Sequence, residues 1–381
     1  MANSKSPATT RVLAIDVFRG ITIAVMIFVN TLAGVRGMPA WMDHAPADAD
    51  AMTFPDVVFP AFLFIVGMSI PFAMAQREAA ADHGWRLWRH VLARVAGLLV
   101  LGVFMVNAEE GYNEAAMGMS IHMWSLCFYT CAIVVWAVYR FKHAWMLRVA
   151  GLAGLLVLAL VFRGGPDGSL RFAPQWWGIL GLIGWAYLYG AVTWGLTSGR
   201  LLPLTTIMLA GTAWYCFAGT GAAQTENAVH ASITLCGMLT AQLFFAAGRK
   251  APFQRALLLA AGLALLAWLL RPYFHISKIY ATPSWALYSS AICVLLFAAL
   301  FWMVDLKQYS GWTAYFRPAA ANPLLVYIVP YIVYAAMQYL HLSFPAVLGA
   351  GWPGLLWAIA YTAFIVALAV VFKRLHIKLQ L

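Results

Sequence analysis

Charge is the scarcest property of this chain. Only 10% of its 381 residues are charged, and 64% are hydrophobic, whereas a soluble domain carries about 25% charged residues. A chain so poor in charge cannot cover a surface that faces water, so lipid must be part of its solvent. The composition therefore predicts an integral membrane protein and gives no sign of a separate soluble domain.

Several motifs with well-understood chemistry are also missing. The sequence has no Walker A loop, no GxSxG nucleophile motif and no HExxH zinc motif, so ATP hydrolysis on a P-loop and zinc proteolysis lack support. Cysteine is scarce, and all five cysteines lie inside apolar stretches. Such cysteines are typical of small buried side chains, and we expect neither disulfides nor a metal site.

The apolar stretches themselves set the fold class. A helix that crosses the hydrocarbon core needs about 20 apolar residues, and the chain offers roughly a dozen such stretches, which predicts an all-α, polytopic transmembrane bundle. A very short turn at Gly195–Arg200 leaves one re-entrant hairpin, and thus ten or eleven spans, open. The expected spans lie near residues 17–34, 55–76, 91–107, 120–139, 146–162, 176–196, 201–219, 228–247, 256–271, 284–304, 319–340 and 353–372.

The basic residues orient this bundle. If the N-terminus is cytoplasmic, 19 of the 24 Lys and Arg residues lie at inner ends of spans and 5 at outer ends. Basic residues concentrate on the cytoplasmic side, so both termini are expected there. The net charge of +11 follows from this flanking pattern, and nucleic acid is not an expected partner. The five basic residues expected at the outer ends of spans are Arg36, Arg163, Arg171, Arg271 and Lys278.

Three polar residues near the ends of the first span are candidates for function. Asp16 and Arg19 lie three residues apart at its inner end and share a helical face. An anchoring ion pair is the preferred interpretation from spacing alone, and an arginine fork that holds phosphate is the other. Asn30 lies near the outer end, where an amide either joins two helices or lines a site.

The following outer loop contains one histidine, His44, among several acids. Histidine is the usual general base near neutral pH, and a carboxylate partner sets its tautomer. From spacing alone, a solvated loop with an incidental histidine is the default. Asp56 opens the next apolar helix, where it either caps the helix or lines a site. The candidate partners of His44 are Asp43, Asp48, Asp50 and Asp56.

Three later residues also combine polarity with a position at a span end. His122 lies at the outer end of the fourth span, where a histidine at the interface is the default and site lining comes second. Lys278 is a snorkelling anchor or a substrate contact. Asn322 precedes Pro323 at the start of the eleventh span, where it is a helix N-cap or a ligand contact.

Taken together, these segments resemble a known family. LAIDVFRGITIAVMIFVN from Leu13, DHAP from Asp43 and FPDVVFPAFLFIVGMSI from Phe54 resemble the N-terminal core of the heparan-α-glucosaminide N-acetyltransferase family. Lys278–Trp285, the pair VD that ends at Asp305, and ANPLLVY around Asn322 resemble its C-terminal core. QWWGILGLIGWAYL at residues 175–188 is similar to bacterial members that are linked to amino-sugar use (NagX-like). The likeness covers roughly residues 11–125 and 230–340.

The resemblance implies one transmembrane acyltransferase domain over residues 1–381, in the bacterial inner membrane. Members take acetyl from cytoplasmic acetyl-CoA and deliver it to the amino group of a terminal glucosamine on the other side. The family's active-site histidine falls on His44, its conserved asparagines on Asn30 and Asn322, and the Asp that opens the next span on Asp56. The large luminal domain of the eukaryotic enzyme has no counterpart, so lysosomal heparan is not the expected substrate.

The roles that we expect follow from this likeness. His44 acts as general base or acetyl acceptor, with Asn30 and Asp56 beside it; Asp16, Arg19 and Asn322 contact acetyl-CoA; His122 and Lys278 contact the sugar. An amino sugar and membrane lipid are the expected partners, no metal is expected, and a homodimer stays open. Two other functions also stay open: a transporter of amino sugars or cell-wall fragments, and an O-acyltransferase of a surface glycan.

Overall fold

The protein is built from α-helices. The computed structural model describes residues 12–80, 82, 84–219, 221–222, 224–246 and 250–381. Each of the twelve apolar stretches expected from the sequence coincides with one of the longer helices in this part of the chain, so the predicted all-α class is confirmed. The helices are α1 Leu13–Leu32, α2 Phe54–Ala79, α3 Trp85–Glu109, α4 Glu114–Met117, α5 Ile121–Trp136, α6 Ala144–Val161, α7 Ile179–Thr197, α8 Leu201–Ala218, α9 Thr225–Phe245, α10 Pro252–Leu270, α11 Pro283–Phe301, α12 Arg317–Ala321, α13 Pro323–Tyr339 and α14 Gly351–Arg374.

Helix length and apolarity identify a multi-pass membrane protein. Among the described residues, 10 helices are long and apolar enough to cross a membrane. They include α7 and α8, the two helices on either side of the short turn at Gly195–Arg200, for which the sequence also allowed a re-entrant hairpin. Helices α5 and α13 are apolar but have only 16 and 17 residues. At 1.5 Å per residue these two reach about 24–26 Å, against a hydrocarbon core of about 30 Å.

The orientation and the single-domain expectation both remain predictions. Three basic residues of the inner set, Lys5, Arg11 and Arg249, lie outside the described residues. The chain groups into two compact units, and each is described by itself below. The first unit comprises Met1–Ala33, Met38–Ala93 and Trp185–Arg317, and the second comprises Gly34–Gly37, Arg94–Gly184 and Pro318–Leu381.

In the first unit, small residues bring α2 and α9 into close contact. A Cβ atom on Gly67 would lie 1.9 Å from the carbonyl oxygen of Thr234, and one on Gly237 would lie 2.0 Å from that of Phe64. Lipid tails are as apolar as leucine, so membrane helices associate through such close backbone packing. The two glycines therefore hold α2, the helix that begins beside the outer loop, firmly against α9.

The start of α1 is stabilised by a residue far along the chain. The Asp305 carboxylate accepts the backbone N–H of Leu13 at 3.2 Å and of Ala14 at 2.8 Å. The first N–H groups of a helix have no partner within the helix, and a carboxylate favours the positive end of its dipole. Asp305 lies in the π-helical turn Trp302–Leu306 that continues α11. This contact joins α1 to the end of α11 within the first unit.

Aromatic rings form the core of the second unit. The Phe104 ring lies 4.9 Å from that of Phe128 and 4.6 Å from that of Phe172, and Trp124 lies 5.5 Å from Phe162. The indole N–H of Trp124 is satisfied by a hydrogen bond to the backbone. Large aromatic side chains supply much of the packing energy of a core, and a buried indole needs such a partner.

We predict that Gly67→Ala lowers the melting temperature of the purified protein, because the new methyl group would meet the Thr234 carbonyl at 1.9 Å. Overpacking typically costs about 1–3 kcal/mol. The control is Gly262→Ala on α10, where the added Cβ has no neighbour within 4 Å among the described residues. The melting temperature of each variant is measured by size-exclusion chromatography after heating to a series of temperatures. Equal melting temperatures would contradict the close contact between α2 and α9.

Candidate active site

A histidine and an aspartate meet at the start of α2. The Nδ1 atom of His44 lies 2.6 Å from Oδ1 of Asp56. The Asp56 side chain is 2% exposed and that of His44 is 37% exposed, so a buried carboxylate holds an accessible imidazole. In neutral histidine this bond places the proton on Nδ1 and leaves Nε2 as the basic nitrogen. Of the four candidate carboxylates, Asp56 is the one that the structure pairs with His44.

The Asp56 side chain is fixed by its other contacts. Its Oδ2 atom accepts the N–H of Ala45 at 3.1 Å, the N–H of Thr53 at 3.0 Å and the Thr53 hydroxyl at 3.0 Å. The fully buried Trp285 donates its indole N–H to the Asp56 carbonyl oxygen at 3.0 Å. The carboxylate therefore closes the first turn of α2 and holds His44 at the same time. The capping interpretation is confirmed, and the same carboxylate also contacts His44.

Lys278 reaches the same histidine from the loop between α10 and α11. Its Nζ atom lies 3.2 Å from Nδ1 and 3.3 Å from Nε2 of His44. Burial lowers the pKa of Lys278, although the nearby Asp56 carboxylate acts in the opposite direction. An amino group with a lowered pKa thus stands beside the basic nitrogen of the imidazole. The structure thus brings three of the predicted site residues together. Asp56 is 12 positions from His44 in the sequence, and Lys278 is 234 positions from it.

Asp50 joins the two loops that carry these groups. Its carboxylate oxygens lie 3.2 and 3.1 Å from Nε of Arg271, and Oδ1 accepts the N–H of Ile276 at 2.8 Å. The hydrogen bond from Ile276, supported by Arg271, lowers the pKa of Asp50. Its φ of 41° lies in the left-handed region, where aspartate is enriched. Asp50, a candidate partner of His44 by sequence, instead holds the Lys278 loop.

Asp16 and Arg19 form a second polar group, on α1 and against α2. Arg19 donates to the Ser69 hydroxyl at 2.6 Å, and its guanidinium lies 3.4 Å from the Asp16 carboxylate. Ser69 and Asp56 lie on the same helix and are separated by about 20 Å at 1.5 Å per residue. The ion pair expected from the spacing is present, and it is well removed from the imidazole.

Two other predicted residues, Asn30 and His122, lie in different units of the chain. Asn30 is exposed near the C-terminal end of α1, and its side chain makes no hydrogen bond to another described residue. In the second unit, His122 lies in the first turn of α5, and its ring packs edge-on against Tyr334 at 6.2 Å. Within the first unit, Asn30 is not among the described residues that bond His44.

The amide of Asn322 is used by the C-terminal segment. Asn322 stands at the N-cap position of α13, as expected, but its side chain does not cap that helix. Its Nδ2 atom donates to the carbonyl of Ile377 at 3.0 Å, and its Oδ1 atom accepts the N–H of Leu379 at 3.2 Å. The side chain thus fixes the chain's end within the second unit.

One residue near the site, His230, belongs to none of the motifs described in the sequence. It lies on α9 with 4% exposure, and its ring is 5.5 Å from that of Phe59 and 5.9 Å from that of Trp285. Its Nδ1 atom has no hydrogen-bond partner among the described residues. His230 supports the indole that bonds the Asp56 carbonyl. Only its polarity within an apolar helix could have drawn attention to it.

Known proteins resemble this chain over part of its length. The family model described as "Domain of unknown function (DUF5009)" matches residues 11–246. The human protein named "Heparan-alpha-glucosaminide N-acetyltransferase" is 33% identical over 97 residues, which is 26% of this chain and 14% of that protein. The mouse protein of the same name is 29% identical over 104 residues, or 27% of this chain and 15% of that protein. The matched stretch is thus a small part of these relatives, and it confirms the resemblance that the motifs indicate.

We predict that Asp50→Ala increases hydrogen–deuterium exchange in the Lys278 loop, because Ile276 and Arg271 both lose their partner. Asp50→Asn keeps an oxygen for the Ile276 N–H and loses only an exposed ion pair, worth about 0–1 kcal/mol. It should therefore exchange nearly as slowly as the wild type. Asp48→Ala, at an exposed carboxylate of the same loop, is the control. Identical exchange of the loop in all four proteins would show that Asp50 does not hold it.

Proposed function

The chain belongs to the DUF5009 family, and we propose that it is a transmembrane N-acetyltransferase of the bacterial inner membrane. Its donor is cytoplasmic acetyl-CoA, and its acceptor is the amino group of a glucosamine-type sugar on the periplasmic side. The observation that carries the proposal is the 2.6 Å contact between His44 Nδ1 and Asp56 Oδ1. The similarity to the two mammalian N-acetyltransferases supports the same class of reaction.

The paired imidazole supplies what acetyl transfer to an amine requires. The sugar's ammonium group must lose a proton before its nitrogen can attack, and Nε2 of His44 is the base that accepts it. The buried Asp56 carboxylate then stabilises the imidazolium and keeps the ring oriented. The C–N bond forms as the thioester C–S bond breaks, and CoA leaves as the thiol. One proton is released through His44 for each acetyl group transferred.

The same nitrogen also suits a two-step route. Nε2 attacks the thioester, CoA leaves, and the acetyl group passes from the imidazole to the sugar amine. In either route negative charge develops on the thioester oxygen. The Lys278 ammonium, 3.3 Å from Nε2, and the amide of Asn30 are the proposed donors that stabilise it. A burst of CoA release before steady turnover distinguishes the two-step route.

The Arg19 cluster is the proposed contact for the phosphates of acetyl-CoA. A guanidinium fork matches phosphate oxygens, and Arg19 is oriented by Ser69 and Asp16. The predicted orientation places this end of α1 in the cytoplasm, where acetyl-CoA is found. Asn322 is less available for such a contact, because both polar atoms of its amide already bond the C-terminal segment.

A transporter of amino sugars is the second candidate. Prolines lie inside two continuous helices, at Pro60 and Pro71 in α2 and at Pro330 in α13. Each proline removes one hydrogen bond of the helix, and transporters often bind their substrates where such bonding is interrupted. A carrier would take up the sugar into vesicles without CoA, whereas the proposed enzyme releases CoA in proportion to the sugar acetylated. An O-acyltransferase would also accept glucose, the hydroxyl analogue of glucosamine.

We predict that His44→Ala lowers glucosamine-dependent CoA release by about 10²–10⁴-fold, the usual contribution of a general base. Asp56→Asn should lower the turnover as well, because the amide cannot stabilise an imidazolium. Asp48→Asn, at an exposed carboxylate of the same loop, is the matched control and should keep wild-type turnover. A thiol-reactive dye measures CoA in detergent, and elution volume verifies folding. Normal turnover in a folded His44→Ala protein would exclude the proposed role.

A further inference from the structure

Lys278 gives the site an amine of its own. The Nζ atom stands 3.3 Å from Nε2 and 3.2 Å from Nδ1 of His44. A substrate amine must come within about 2.6–3.2 Å of the base that takes its proton, and reacting atoms must approach to about 3–3.5 Å. The lysine nitrogen therefore already lies near the position that the nitrogen of the acceptor sugar must reach.

Two properties make this amine reactive. Burial lowers the pKa of Lys278, so a larger share of it is neutral at neutral pH, and the neutral amine is the nucleophile. The loop that carries it is also restrained. Asp50 bonds this loop through Ile276, and the Tyr215 hydroxyl donates to the Tyr280 carbonyl at 2.8 Å. The amine is thus held beside the imidazole rather than free to turn into the solvent.

We propose that Lys278 is a site of self-acetylation when acetyl-CoA is bound and no acceptor sugar is present. This inference rests on the proposed acetyltransferase function. The Nζ–C bond forms as the thioester C–S bond breaks, and CoA leaves as the thiol. The proton of the Lys278 ammonium leaves through Nε2 of His44. The product is an uncharged amide at the position of the former ammonium group.

This modification would block the site. Acetyl-lysine has lost its charge and two of its three donors, and its acetyl group adds bulk beside His44. An acceptor sugar protects the enzyme, because its amine receives the acetyl group before Lys278 does. The enzyme would therefore lose activity in acetyl-CoA alone and keep it when amino sugar is supplied.

The test incubates the purified full-length protein with deuterium-labelled acetyl-CoA, with and without glucosamine. Mass spectrometry follows the label on peptides that contain Lys278 and on those that contain Lys307. Lys307 is exposed and lies beside the Trp302 ring at 5.5 Å, so it is the internal control. We expect the label on Lys278 to rise as activity falls, to decrease with glucosamine and to be absent in His44→Ala. In Lys278→Arg the label on this peptide should be absent, because the arginine guanidinium stays protonated and is not a nucleophile.

The outcomes separate this inference from the proposed function. If the wild type acetylates glucosamine while Lys278 stays unlabelled, self-acetylation is wrong and the proposed function stands. If neither glucosamine nor Lys278 takes the label, both are wrong. Equal labelling of Lys278 and Lys307 that persists in His44→Ala would identify spontaneous acetylation and overturn the inference.

Discussion

The hydrogen bond between Nδ1 of His44 and Oδ1 of Asp56 is the interaction on which the proposed site depends. A carboxylate at the start of an apolar helix is costly unless its oxygens are satisfied. Here Ala45 and Thr53 occupy the second oxygen, and Trp285 holds the backbone beside it. The imidazole is therefore positioned by groups that are themselves fixed, which is what a base must have in order to act repeatedly on the same geometry.

The candidate site combines closely packed helices with two loops. Close packing at Gly67 and Gly237 fixes α2 against α9, and α2 presents Asp56 at its first turn. The histidine and the lysine come from loops, which is where reactive groups are most often found on a rigid scaffold. Asp50 joins these loops through Ile276 and Arg271. The position of Lys278 beside the imidazole thus depends on Asp50, which contacts neither Lys278 nor His44 itself.

Much of the fold follows from the sequence, because length and apolarity alone identify a membrane helix. Each of the twelve expected stretches overlaps one of the longer helices that the structure describes, and even the short turn between α7 and α8 separates two helices of membrane-spanning length. The contacts within the site could be predicted only in part from the sequence. The choice of Asp56 over Asp50 depends on how the loop folds, and the contact with Lys278 joins positions far apart in the chain. Nothing in the sequence around Asn322 reveals that the C-terminal segment uses its amide.

The decisive measurement is acetyl transfer across a sealed bilayer that separates the two substrates. The protein is reconstituted into liposomes, and the population with the His44 loop outside is selected by labelling an engineered cysteine in that loop. Acetyl-CoA is enclosed within, and glucosamine is supplied only outside. If the proposed enzyme moves acetyl through the bilayer, N-acetylglucosamine forms in the external solution and CoA stays inside, and no product forms when His44 is replaced by alanine. Product that forms only when both substrates are on the same side, or no product at all, would contradict it.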